Sequence, residues 1–476
     1  MRGQGGFFLI FLFSLTISLL QSCSKEVPEE MMVGECFLPP TAEEEPNSQV
    51  RFLEANEGFS FSCQEALRVI SYVERVHLAG EGIATVPLLQ QGFRGIIASG
   101  RFSTPFFRVN TDKSSHRDYI ENHIAFHLFP NQEEKLEGEI SGLEKKEDLC
   151  STAVTVVSEL GTGLSKGSQD MKPYLLPLLL KSLVRNFVGS LDPHSRFYEN
   201  LEYHYLITKR EEEAKVVNTV APLDKAYEGD GIVVQQLVHD EKAILAMELL
   251  EFKADTAEKF KEVYLGYYNR QEKITDLVID LRRNQGGDAF VVADLLDLFL
   301  KKGLIHYMRE RTMNGWQPYL HYATPGNELP GISDVDITIL MSRVSASSAE
   351  TFASAMQDYK RAVIVGERSF GKGTGQRNEF LRKLPVESKS CSILKLTQLE
   401  VFSPKGTPLQ KRGVIPDVSF PKREEPQSYT LESAYPNALV APSPIQTDFE
   451  EANALGNERW QKLKLEASSL IEEVSF

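Results

Sequence analysis

The sequence predicts an α/β (α+β) chain: a mixed sheet covered by helices, preceded by a helical N-terminal region. Three observations predict it. From about residue 244 short apolar runs alternate with helical patterns, as a largely parallel or mixed sheet requires. Between about 59 and 198 the apolar residues recur mainly at helical spacing. The apolar fraction of 42% and charged fraction of 25% are ordinary for a globular chain, and 476 residues suggest two to three domains.

Each element has its own signal. In "CQEALRVISYVERVHLA" positions 66, 69, 70, 73 and 76 are apolar and fall on one helix face. "PLLQQGFRGIIASGRFS" from Pro87 and "PLLLKSLVRNFVGSLDPHS" from Pro177 echo each other as two Leu-rich helical units. "ILAMELLEF" reads as a buried strand. Asp255 followed by Glu258 starts a helix through Tyr264 in the manner of a capping box. "DLVIDL" (276–281) is a strand, and "DAFVVADLLDLFLKKG" a helix stopping near Gly303. "ITIL" (337–340) is a strand, "SAETFASAMQDYK" a helix and "AVIVG" (362–366) a strand. "LKLTQLEVF" and "GVIPDV" are late strands, and the stretch from Asn453 is a terminal helix.

The N-terminus has a different texture. Arg2 precedes a mostly apolar run from Phe7 to Leu20, short for a membrane span but suited to a signal-peptide core. It ends in "LLQSC", which resembles a bacterial lipoprotein signal with Cys23 as the lipidated residue. The Glu- and Pro-rich residues that follow read as a flexible tether. The expected organisation is a signal peptide (1–22), tether (23–55), helical prelude (56–200), short connector (201–243), α/β core (244–425) and C-terminal extension (426–476). Export permits disulfides. Of Cys36, Cys63, Cys150 and Cys391, at most one pair is expected to bridge, Cys63 with Cys150, and no pair has zinc spacing. The net charge of −15 without basic stripes argues against a nucleic-acid partner.

The chemistry concentrates in "SRVSASSAETFASAMQDYKRAVIVGERSFGKGTGQ", Ser342 to Gln376. A serine between a strand and a helix sits where backbone N–H groups stabilise developing negative charge. The stretch contains no histidine, so the base must be another group. Lys372 can serve if burial keeps its amine neutral. Phe370 can shield it, while Gly371 and Gly373 permit close backbone approach.

This stretch resembles the core of the C-terminal processing (tail-specific) proteases, serine endopeptidases with a Ser-Lys pair. The resemblance rests on Ser345-Ala346-Ser347-Ser348-Ala349-Glu350, Gln357-Asp358, Gly366-Glu367, Phe370-Gly371-Lys372-Gly373 and Gln376. It continues in "LDPHS" (191–195), "VIDLRRNQGG" (278–287) and "FSPKGTPLQKRGVIPDV" (402–418), and covers roughly 175–420. It implies a ClpP/crotonase-like core. Its lysine lies twenty-five residues after the nucleophile, which selects Ser347 over the adjacent Ser348. It implies that Gln376 orients the amine, and that the N–H of Ser348 with one from Gly286 or Gly287 binds the oxyanion. No cofactor or metal is called for.

Other residues receive structural readings. Asp358 lies eleven residues beyond Ser347, about 16 Å along a helix, and is expected to pair with Lys360 or Arg361 or to bond backbone. Glu350 suits the helix dipole. His123 and His127, four apart on a helix, read as a surface pair without HExxH context. His194 is read as a turn residue. Typical members of this family carry a PDZ domain between the prelude and the core, which captures C-termini by strand addition. Residues 201–243 show no carboxylate-binding loop, and "GDGIVV" is at best a remnant.

Three readings compete. The first is a lipid-anchored Ser-Lys endopeptidase on the periplasmic side of a bacterial envelope, at the outer rather than the inner membrane, with protein or peptide substrates. The second is a silent scaffold with the same fold. The third is an acyl-CoA enzyme of the related fold. Substrate identity, oligomeric state and any regulatory partner stay open.

Overall fold

A computed structural model describes residues 61–108, 118–164, 174–199, 228–229, 231–239, 242–269, 274–382, 391–419, 430–451 and 454–473. The signal-like run, Cys23, the tether and Cys36 lie outside the described residues. Among those described, no helix is long and apolar enough to cross a membrane.

The N-terminal region is built from α1 (Cys63–Val76), α2 (Thr85–Ser99), the hairpin β1 (Arg101–Arg108) and β2 (Asp118–Ala125), α3 (Pro130–Ser141), α4 (Leu149–Thr162) and α5 (Leu175–Leu191). Helix α1 starts at a capping box in which Glu65 N–H donates to Ser62 Oγ and Ser62 N–H to Glu65 Oε2. The two echoing segments are α2 and α5. They pack together, with Gly92 set directly against Leu183. Helix α5 stops at Asp192 because Pro193 disfavours a helical residue before it. The hairpin was not anticipated. It places His123 on a strand, so the expected helical pairing with His127 does not form. No metal-binding cluster of three or more side chains exists among the described residues. Cys63 and Cys150 are side by side, as expected, but as free thiols in hydrogen-bond contact rather than a disulfide. Burial and the neighbouring Cys150 push the Cys63 thiol up to about 12.

The remaining elements are β3 (Arg196–Glu199), β4 (Glu228–Gly229), β5 (Ile232–His239), β6 (Lys242–Leu249), α6 (Thr256–Asn269), β7 (Asp276–Asp280), α7 (Ala289–Asp297), β8 (Leu304–Thr312), β9 (Gly315–Tyr322), β10 (Asp336–Met341), α8 (Ser348–Asp358), β11 (Val363–Gly366), β12 (Thr374–Arg382), β13 (Cys391–Phe402), β14 (Val418–Ser419) and α9 (Asn457–Glu473). A seven-stranded sheet runs in the order β14-β11-β10-β7-β6-β5-β4. It is parallel from β14 to β6 and antiparallel beyond, so "GIVV" belongs to a strand paired along all of β6.

Alternation along the central strands explains why both faces are covered. Leu245, Met247, Leu277, Ile279, Ile337, Ile339 and Ile364 face the core under α6, α7 and α8. Ile244, Ala246, Val278, Leu340, Val363 and Val365 face the other way and meet Leu463 and Ala467 of α9. A second, five-stranded sheet has the order β12-β13-β8-β9, with β3 also paired to β13. Strand β13 touches two cores. Leu394 and Leu396 join the helical region's core, whereas Leu399 and Val401 join the core beneath α6, α7 and α8.

Candidate active site

Strand β10 delivers the chain to a turn at 342–347, and α8 leaves from it. Four serines crowd the turn, and three give their hydroxyl protons to the facing segment 281–287. Ser342 Oγ donates to Arg282 O at 2.6 Å, Ser345 Oγ to Leu281 O at 2.8 Å and Ser348 Oγ to Gly287 O at 3.0 Å. Ser347 is not among them. It is the N-cap of α8 and has φ 55° and ψ −119°, a backbone conformation that costs a non-glycine residue energy. Such strain persists only where surrounding contacts hold it, and here they are visible.

The main contact is Glu350, fully buried one turn into α8. Its Oε2 accepts from Ser347 N–H and from Lys372 N–H, both at 2.8 Å. Its Oε1 accepts from Ser369 Oγ at 2.5 Å and Gly371 N–H at 2.7 Å. One carboxylate thus joins the main chain at the serine to the main chain at the lysine. Burial pushes its pKa up to about 7, against the pull of these donors. The Phe370 N–H to Ser345 O bond, 2.9 Å, adds a second tie between the two segments.

Two glycines are required by close approach. Gly286 has φ +108°, and a Cβ there would lie 2.8 Å from Ser347 Cβ, so the Gly-Gly turn packs directly on the serine. A Cβ on Gly373 would lie 2.1 Å from Gln410 N. The N–H of Gly286 is already bonded to Asn284 Oδ1 at 2.7 Å. Gly287 continues the same turn and bridges to Phe252.

Lys372 is half-buried. Burial lowers its amine to about 8, helped by the positive charge of Lys395 and opposed by Glu432, Asp192 and Glu350. Its Nζ donates to Gln376 Oε1 at 3.0 Å. Asp358 stands apart at the far end of α8, where its Oδ2 accepts from Lys405 N–H at 2.9 Å. That is the backbone alternative expected for it. Lys360 pairs with Glu451, and Arg361 bonds the carbonyls of Ile332 and Val335.

In the sequence Glu350 stands out only as a first-turn carboxylate. The four donors that define its role lie on two turns that meet only after folding. Replacing Glu350 with alanine leaves those donors without their shared acceptor. Cleavage of an unfolded protein by the Glu350→Ala chain is expected to fall about 100-fold, with a lower unfolding temperature. Glu350→Gln, which keeps the shape but supplies two acceptor sites on one atom only, falls between.

The fold and site define a class: an α/β domain that presents a serine on a strained strand-to-helix turn, tied through Glu350 to the main chain at a lysine of depressed basicity. Residues 243–420 match the sequence profile of Peptidase family S41. The chain is 29% identical over 172 residues to a probable CtpA-like serine protease of Staphylococcus aureus, covering 36% of this chain and 32% of that one. It is 28% identical over 213 residues to a tail-specific protease of Haemophilus influenzae, covering 43% of this chain and 30% of that one. It thus spans about a third of the length of the curated relatives it matches. Among solved structures, a photosystem II D1 C-terminal processing protease aligns over 71% of this chain and 93% of its own, at 16% identity and a TM-score of 0.41.

Proposed function

We propose that this chain is a serine endopeptidase that cleaves peptide bonds through Ser347 and Lys372. The observation that carries the reading is the shared Glu350 oxygen, which holds the main chains of both residues within hydrogen-bond reach of one atom. In this mechanism Ser347 Oγ attacks the scissile carbonyl while the neutral Lys372 amine takes its proton. The resulting ammonium returns that proton to the leaving amine, and an acyl-enzyme forms. Water then repeats the sequence with Lys372 again as base, releasing the acid and free Ser347. The tetrahedral oxyanion is bound by the N–H of Ser348, at the start of α8, and by that of Gly287. Gly287 is preferred because Gly286 N–H is already bonded to Asn284. Gln376 Oε1 accepts a hydrogen bond from the amine and fixes its orientation.

The sequence adds a location. Cys23 after an apolar run supports lipid attachment and a periplasmic position on a bacterial envelope, where the substrates are exported proteins.

The reading is tested with the full-length chain in detergent, incubated with an unfolded protein and separately with a fluorophosphonate. Cleavage, together with a phosphonyl adduct on the peptide containing Ser347, supports it. A folded chain that neither cleaves nor takes the adduct sinks it and favours a silent scaffold.

A further inference from the structure

The turn "LDPHS" and a histidine of the helical region are not used by the chemistry above, yet they meet the lysine's orienting residue. His77, Asp192, Ser195 and Thr397 are all completely buried. They come from α1, the end of α5 and β13, separated by more than a hundred residues of chain. Burying so many polar groups is costly, and it stabilises a fold no better than well-packed apolar residues would. Their hydrogen-bond polarity shows what the arrangement achieves.

The polarity is set link by link. Ala79 N–H donates to His77 Nδ1 at 3.1 Å, so Nδ1 is an acceptor and the ring proton sits on Nε2. His77 Nε2 then donates to Asp192 Oδ2 at 2.8 Å. Asp192 Oδ1 accepts from His194 N–H at 2.8 Å, Ser195 N–H at 3.0 Å and Thr397 Oγ1 at 2.9 Å. Burial works against charge on this carboxyl, but the bonds from His77, Ser195 and His194 hold it well below the usual carboxylate range. Thr397 has one hydroxyl proton, and Asp192 receives it. Toward Gln376 the hydroxyl can therefore only accept, and Gln376 Nε2 donates to it at 3.2 Å. An amide turned with its NH₂ to Thr397 presents Oε1 to the amine, as the 3.0 Å bond from Lys372 shows. Flipped, the amide would offer an N–H to the lone pair that must act as base.

A second arm leaves the same turn. His194 Nε2 lies 2.8 Å from Glu432 Oε2, Gln410 Nε2 donates to Glu432 Oε1 at 2.9 Å, and Gly373 N–H donates to Gln410 Oε1 at 3.0 Å. The turn thus braces both the side chain and the main chain at the lysine.

We propose that Thr397, Asp192 and His77 are positioning residues that fix the Gln376 amide and through it Lys372, so that the helical N-terminal region completes the site. The inference rests on the peptidase reading for its catalytic meaning, but the orientation itself can be measured without proteolysis.

The test uses the full-length chain in detergent and four variants: Thr397→Val, Thr397→Ser, His77→Leu and His77→Gln. The first readout is the pH midpoint at which Lys372 reacts with a small amine-selective acylating reagent, followed by peptide mass spectrometry. The second is the plateau cleavage rate, with the unfolding temperature measured alongside. Thr397→Val keeps shape but frees the amide. A protonated amine that loses a fixed acceptor is less stable, so the midpoint falls. The charged groups facing Lys372, namely Lys395, Glu432, Asp192 and Glu350, are retained in every variant.

Thr397→Val is expected to lower the midpoint by about half a pH unit or more and the plateau rate by about tenfold or more. Thr397→Ser restores both. His77→Leu moves both in the same direction, and His77→Gln, whose amide can still donate to Asp192, moves them less. Wild-type midpoints and plateau rates in Thr397→Val and His77→Leu, whatever their unfolding temperatures, overturn the proposal. If the wild type cleaves nothing yet the midpoints shift, the positioning stands and the peptidase reading falls. If it cleaves and they do not shift, the positioning falls alone.

Discussion

Ser347→Ala is expected to lower the cleavage of an unfolded protein by about 10⁴-fold or more, while Ser348→Ala lowers it by less than about tenfold. The contrast follows from where each hydroxyl points. Ser348 spends its proton on Gly287 O, and removing it costs one ordinary hydrogen bond, about 1 kcal/mol. The N–H of Ser348, which the proposed mechanism uses, survives the substitution. Ser347 occupies the strained cap of α8 with Gly286 packed against its side chain. Alanine is accepted there sterically, so the unfolding temperature should barely change while the nucleophile is gone. Time courses of substrate loss by gel, with both variants at matched folded concentration, decide the matter. Equal cleavage by wild type and Ser347→Ala would remove the serine from the mechanism.

The second large effect concerns Lys372. With an amine titrating at about 8, roughly a tenth of the chains carry the neutral base at pH 7. The wild-type rate should therefore rise about tenfold per pH unit toward a plateau above about 8. The sign is fixed by the role: the protonated amine cannot accept the Ser347 proton. Glu350 sharpens the acid side, because its carboxyl, raised to about 7, loses acceptor capacity as it is protonated below that pH. Lys372→Met keeps the length and apolar stem but has no base, and is expected to lose about 10³- to 10⁴-fold at the plateau and its pH dependence above 7 with it. A rate profile that is flat between pH 6 and 9 in the wild type would exclude Lys372 as the base.

Much of the candidate site is legible because its proposed parts lie within thirty-five residues. Ser347, Lys372 and Gln376 follow one another along the run from the end of β10 through α8 and β11 to the start of β12, so counting along the chain picks them out. The central strands were legible too, since apolar runs such as 276–281 are bounded by polar turns. What escaped notice depends on contacts across the chain. His77 and Asp192 are 115 residues apart, and Asp192 and Thr397 are 205 apart. No local pattern marks a buried histidine as the end of a polar chain. The β8–β9 hairpin is a different case. Asn314-Gly315, with Gly315 at φ +100°, is a hairpin turn signal in plain view. The charged residues Arg309, Glu310 and Arg311 masked the strand before it. Arg309 is satisfied on the sheet by Glu400 and Glu310 by Arg377, while Arg311 donates to Arg75 O of α1.

Strand β13 has an implication for how the molecule holds together. Its first half is packed with the helical region and its second half with the domain that carries the serine. Packing lost along one half of the strand removes support from the ladder that continues into the other half, so each region stabilises its neighbour. Cutting the helices away would leave Leu394 and Leu396 facing water. The two regions are therefore expected to unfold as one cooperative unit, and the domain that carries the serine not to be a portable part.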